Sequence, residues 1–205
     1  MRSFCAPLVT GGLLAAALCP SAARADLIIR GPHREHEALF RSIYAGLPAR
    51  GKNIDVTVQE LTPDEWAKTS GVDDPDAVGV YDDETRELFI KQGEPDLEWT
   101  FVHEFGHHVF FAALDRGERR DWRRYWKQHQ AEMPEGDAQD EPDEGWAECY
   151  AGVYSPKKLE WKLAVSLGDK TRTFFAKTAV ASANRPQGMD ASVDTDRPRR
   201  RRDPR

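Results

Sequence analysis

The chain reads as an α+β protein, a small sheet followed by a helix-rich half. Three observations predict this class. Apolar residues alternate in short runs up to about residue 91, the period of a half-buried strand. Beyond Pro95 they recur every three or four residues, the period of a helix. No internal repeat interrupts the sequence, and the order is a small sheet first with most of the helices afterwards.

The elements follow in order. Residues 27–30 (Leu-Ile-Ile-Arg) form a short strand. Arg34 to Leu47 carries Leu39, Ile43 and Leu47 at helical spacing, with Phe40 and Tyr44 beside them, and Pro48 and Gly51 end that helix. Asn53 to Leu61 alternates, placing Ile54, Val56 and Val58 on one strand face. Thr62-Pro63-Asp64-Glu65 is a helix start, with proline at the first position and acids in the first turn. Ala77–Tyr81 and Glu87–Lys91 pair as a hairpin across Asp82–Arg86, a turn without glycine. Pro95 opens a long helix to about Leu114, and a charged, aromatic helix covers roughly Glu118 to Glu132. Met133–Asp143 is an acidic loop. A third helix runs from Pro142 to Tyr154, another starts at Ser155-Pro156 and holds Trp161, Leu163, Val165 and Leu167, and Lys170–Ala183 is the last.

At 205 residues, with 40% hydrophobic and 31% charged side chains, the chain is one domain with appendages. Residues 1–25 have the pattern of a secretory signal. Arg2 precedes an apolar run from Leu8 to Leu18, and Ala23-Arg24-Ala25 fits a signal peptidase site. The run is too short for the ~20 residues of a spanning helix, and Leu18 before Cys19 is too large for a lipidation site. The expectation is an exported protein, periplasmic or secreted, without stable membrane insertion. Cleavage leaves Cys149 as the only cysteine, so no internal disulfide forms, and this thiol reads as a small buried hydrophobe. Residues 184–205 are rich in Arg, Pro and Asp and read as a disordered tail, leaving 26–183 as the folded domain. The net charge is −6. Without the nine Arg of leader and tail and the four Asp of the tail, the body has 20 basic and 31 acidic residues and is more acidic still, at about −11, which argues against nucleic acid or an anionic membrane as a partner of the body.

The chemistry lies in the long helix. Phe101-Val102-His103-Glu104-Phe105-Gly106-His107-His108 contains HExxH. Residues four apart share a helix face, so His103 and His107 are candidate ligands of one Zn²⁺. Glu104 lies off the ligand pair, placed to accept a proton from water that the metal activates. Trp99, Phe101, Val102, Phe105, Val109 and Phe110 predict a buried helix, in which three polar groups are costly without a partner. Gly106 is a poor helix former and implies close packing at that point.

A catalytic zinc takes three protein ligands and keeps an open position. One major class would need glycine at position 110 and histidine at 113; Phe110 and Ala113 exclude it. The other common solution is a glutamate on a later helix. Glu144-Gly145-Trp146-Ala147-Glu148 provides two carboxylates on one helix face, Glu144 as third ligand and Glu148 as acceptor of a ring N–H from a liganding histidine.

HEFGH followed some three dozen residues later by ExxAE resembles the gluzincin zinc metallopeptidases, most closely the anthrax lethal factor catalytic domain and the secreted Pro-Pro endopeptidases. The resemblance implies a zincin-like fold over residues 26 to about 180, with one zinc per chain on His103, His107 and Glu144. It also implies Glu104 as general base, and an edge strand within 78–91 that pairs with an extended peptide or protein substrate. The family carries a tyrosine about two helical turns before the third ligand, where it steadies the oxyanion. Asp137 stands there in this chain, and Tyr150, Tyr154 and His129 are the candidates to replace it.

The expected function is thus an exported zinc endopeptidase. The competing expectation is a non-catalytic zincin-fold module that binds a partner and keeps a zinc site. Of the remaining residues, His108 points away from the metal as an ordinary histidine, and His33 and His36 belong to a solvated face. Trp122, Tyr125 and Trp126 pack a helix on the core.

Overall fold

A computed structural model describes residues 26–72, 74–133, 135–157 and 171–177. The predicted leader, the tail and the helix expected around Trp161–Leu167 lie outside the described residues. The architecture is α+β, with one four-stranded mixed sheet packed against helices.

The strands are β1 (Leu27–Arg30), β2 (Val56–Leu61), β3 (Gly79–Asp82) and β4 (Glu87–Lys91), in the spatial order β1-β2-β4-β3. β1, β2 and β4 run parallel, and β3 pairs antiparallel with β4 at the sheet edge. The two parallel steps need crossovers, supplied by α1 (Glu37–Gly46) after β1 and by α2 (Pro63–Ser70) after β2. α2 begins as predicted, on a capping box between Thr62 and Glu65 with Pro63 at its start. The hairpin turn does without glycine because Arg86 itself takes a positive φ of 59°.

Strand alternation sorts side chains between two cores. Val56, Val58, Leu88 and Ile90 face the main one, where Phe40 of α1 stacks on Phe101 at 5.0 Å. Leu61 and Phe89 face the other way and close over Trp66 of α2.

The helical half comprises α3 (Leu97–His108), α4 (Arg116–His129), the short α5 (Asp137–Asp140), α6 (Pro142–Tyr154) and a helical segment at 171–177. α3 lies between the sheet and α6 and is buried along nearly its whole length. Several boundaries differ from the sequence expectation: α1 starts at Glu37 and not Arg34, β2 at Val56 and not Asn53, and β3 is Gly79–Asp82 and not Ala77–Tyr81. The long helix starts at Leu97, and after His108 it loosens into a π-helical stretch, Val109–Ala113. The buried Arg119 guanidinium donates to the carbonyls of Phe110, Phe111 and Leu114 there, satisfying an irregular helix end from outside. The second helix starts earlier, at Arg116, because Asp115 caps it by accepting from the Glu118 N–H. The acidic loop contains the single turn α5, whose Ala138 carbonyl accepts from the Trp126 indole.

α4 packs as expected, with Trp122 edge-on to Trp146 at 5.3 Å and its indole N–H donated to the Pro142 carbonyl. Cys149 is buried beside Met133, its thiol pKa raised by that burial. His33 and His36 lie partly exposed, and each is also held by a carboxylate. The Nδ1 of His36 lies 2.5 Å from Glu60, whose buried carboxylate also accepts the His36 backbone N–H, so the pair ties the start of α1 to β2. His33 pairs with Glu65 at 3.0 Å.

Candidate metal centre

Two helices build the site. On α3, His103 and His107 stand one turn apart with ring centroids 5.0 Å from each other. On α6, Glu144 reaches across, its Oε2 3.3 Å from His103 Nε2 and 3.4 Å from His107 Nε2. One ligating atom from each of the three lies within 4.8 Å of the others. Two imidazole nitrogens and one carboxylate oxygen are the donor chemistry of a zinc site with an open position, so these residues fit the ion.

What brings the helices this close is glycine. A Cβ on Gly106 would lie 2.9 Å from the Ala147 Cα, a distance real side chains do not tolerate. The close packing expected from Gly106 is therefore its contact with α6, and it sets the reach of Glu144.

Glu148, one turn beyond Glu144, accepts from His103 Nδ1 at 3.1 Å. This leaves Nε2 of His103 facing Glu144 and holds the ring in one orientation. The electrostatics follow. Burial disfavours charge on His103, but hydrogen bonds to Glu144 and Glu148 outweigh it and raise its pKa to about 10. Burial likewise opposes ionisation of Glu144, and hydrogen bonds from His103 and His107 reverse this, holding it well below the usual carboxylate range.

Glu104 differs in kind. Only 6% exposed, it has its pKa raised, chiefly by burial and against the pull of His103 and His107. It packs under β3, where a Cβ on Gly79 would stand 2.6 Å from its Oε1. A glycine at this strand position makes room for the carboxylate. In a sequence a strand glycine signals only local weakness, and the role of Gly79 becomes visible only with Glu104 beneath it.

β3 is docked at a second point. The Tyr81 hydroxyl lies 3.2 Å from Nδ1 of His108, and His108 Nε2 lies 3.2 Å from the Gly51 carbonyl. His108 is fully buried, an ordinary core histidine and not a surface one, and burial lowers its pKa to about 4. The neutral ring thus donates to Gly51 and accepts from Tyr81. The π-helical stretch turns Phe111 onto the same side, where it stacks on both His107 and Tyr81 at 6.3 Å.

The ladder of β3 determines which backbone groups look outward. Lys91 N–H donates to the Val78 carbonyl, and Gly79, Val80, Tyr81 and Asp82 oppose Ile90, Phe89, Leu88 and Glu87. Bonded pairs alternate in an antiparallel ladder, so Val80 points its N–H and C=O at β4. Gly79 and Tyr81 point theirs away, beyond the sheet.

The contacts of the three oxyanion candidates run elsewhere. Tyr150 is buried against Phe105 and Tyr154, its hydroxyl without a hydrogen-bond partner among the described residues. Both tyrosines line a cavity of about 10 Å³ with Pro48, Arg50, Val109, Trp146 and Phe175, room for about one water molecule. His129 pairs with Glu132 at 2.9 Å and lies on Tyr125.

No protein-family model matches this chain, and no curated protein matches it either.

Proposed function

We propose that this chain is an exported zinc-dependent endopeptidase of zincin-like fold, with one Zn²⁺ per chain on His103, His107 and Glu144. The observation that carries the reading is the convergence of three ligating atoms within 4.8 Å beside Glu104, a buried carboxylate that is not among them. A purely structural site has no use for such a neighbour.

A zinc ion held there supplies Lewis acidity, polarising a substrate carbonyl and acidifying water. The chain's own residues do the remaining work. Glu104 takes a proton from the attacking water and delivers it to the leaving amine, and its raised pKa suits both halves of that transfer. Glu148 holds His103 in orientation. The outward N–H and C=O groups of Gly79 and Tyr81 accept an extended peptide as an added strand, which lays its backbone past Glu104.

The second reading, a non-catalytic binding module that retains zinc, is favoured by one observation. Asp137, exposed at the start of α5, stands where the gluzincin pattern has its oxyanion tyrosine.

Zinc stoichiometry of the chain beside its Glu144→Ala variant, followed by turnover of a peptide library with and without chelator, tests both. One zinc per chain, weakened in the variant, with chelator-sensitive turnover supports the peptidase. One zinc without turnover supports the binding module, and no zinc after reconstitution overturns both. Glu104→Gln should keep the metal and lose turnover by at least about a hundredfold.

A further inference from the structure

The net charge of the body argues against an anionic partner, yet its cations are not evenly spread. Arg116, Arg120, Arg123 and Lys127 are all exposed and follow one another at intervals of four, three and four along α4. That spacing places them on one face, a straight line of charge about 16 Å long. Arg124 flanks it, paired with Asp121 at 3.6 Å.

What sets Arg120, Arg123 and Lys127 apart is that they are unpaired and adjacent; Lys68, Arg86, Arg172 and Lys177 also lie outside any ion pair among the described residues, but on other elements. Elsewhere Arg30, Arg34, Arg41, Arg50, Lys91 and Lys157 each lie within 4.0 Å of a carboxylate. Arg120, Arg123 and Lys127 form no hydrogen bond or ion pair among the described residues. A chain with this surplus of acids has left three neighbouring cations on one helix unneutralised.

The opposite face of α4 is anchored. Trp122 and Trp126 donate to the Pro142 and Ala138 carbonyls, and Tyr125 stacks on Phe174 at 5.2 Å. The stripe is therefore presented by a fixed helix, and the aromatics that would stack on bases face inward. No helix among the described residues is long and apolar enough to cross a membrane. A straight row of cations at one level suits a planar array of anionic headgroups, and an exported chain, as residues 1–25 predict, meets lipid and not nucleic acid.

We infer that Arg120, Arg123 and Lys127 form a docking face by which the protein sits peripherally on an anionic lipid surface. The inference does not depend on the metal site. It is tested with the full chain and vesicles containing about 30% phosphatidylglycerol in phosphatidylcholine, against pure phosphatidylcholine. Three variants are compared with the parent: R120Q/R123Q/K127Q, one with Arg199–Arg202 changed to Gln, and the two combined. The thermal transition of each serves as a check of folding. Binding is expected to anionic vesicles only, to fall with salt, and to weaken roughly a hundredfold in the α4 variant, about fivefold for each cation removed. Binding that survives in the α4 variant and disappears in the tail variant overturns the inference. So does the absence of binding in the parent, or a single-stranded oligonucleotide bound more tightly than the vesicles through the same residues.

Discussion

Gly106 on α3 and Ala147 on α6 meet backbone to backbone: a Cβ at Gly106 would sit 2.9 Å from the Ala147 Cα and 3.1 Å from the Tyr150 Cβ. Because the ligands are divided between these two helices, the contact governs their spacing. Gly106→Ala gains roughly 1 kcal/mol of helix propensity and loses about 1–3 kcal/mol to overpacking. The neighbour is backbone and gives way only if α6 moves. We expect a lower thermal midpoint and weaker zinc binding together. A variant matching the parent in both would show that the helices have slack.

Gly79→Ala places its methyl 2.6 Å from Glu104 Oε1 and 2.6 Å from Thr100 Cγ2. The collision displaces the carboxylate but spares His103, His107 and Glu144. Turnover should fall by about tenfold or more while zinc stoichiometry is retained, since a misplacement of about 1 Å is costly to catalysis. Loss of metal along with activity would show instead that β3 supports the ligands.

Glu148→Ala removes the acceptor that fixes His103. Zinc affinity should drop by about 10–100-fold with stoichiometry still reaching one at high zinc. Competition against a chromogenic chelator measures this directly, and an unchanged affinity would remove Glu148 from the site.

In the metal-free chain His103 keeps a proton up to about pH 10. Its pKa is raised above the ordinary value near 6.5, so its contribution to stability is complete below about pH 6.5. That contribution disappears as pH rises through about 10. Zinc requires the neutral ring. Binding should release about one proton from His103 between these limits, and affinity should climb roughly tenfold per pH unit there. Calorimetry in two buffers of different ionisation enthalpy counts the proton; a count near zero at about pH 8 would contradict the pairing with Glu144 and Glu148.

Much of this molecule was legible because its key segments are dense in signals. α6 occupies the predicted Pro142–Tyr154, since Pro142 starts it and apolar residues surround Glu144 and Glu148. Helical period paired His103 with His107 and Glu144 with Glu148, and the need of a catalytic zinc for a third protein ligand joined Glu144 to the histidines. What escaped depends on contacts between distant residues. Nothing local ends α3 at His108; the π-helical stretch is held by Arg119 from the next helix. The His36–Glu60 pair joins residues from separate elements and leaves no periodic trace. Gly79 reads as a weak strand residue until Glu104 is seen beneath it.

The open edge of β3 also bears on how the protein behaves in a crowded solution. Outward backbone groups on Gly79 and Tyr81 are a template on which a second chain could zip, and unguarded edges of this kind seed aggregates. Two features restrain that outcome. The strand is only four residues long, and Asp82, Asp83 and Glu84 follow at its end. Each copy carries this negative charge beside its edge, and mutual repulsion opposes self-association. The hairpin acids thus act as gatekeepers, keeping the edge accessible to other peptides while discouraging self-assembly.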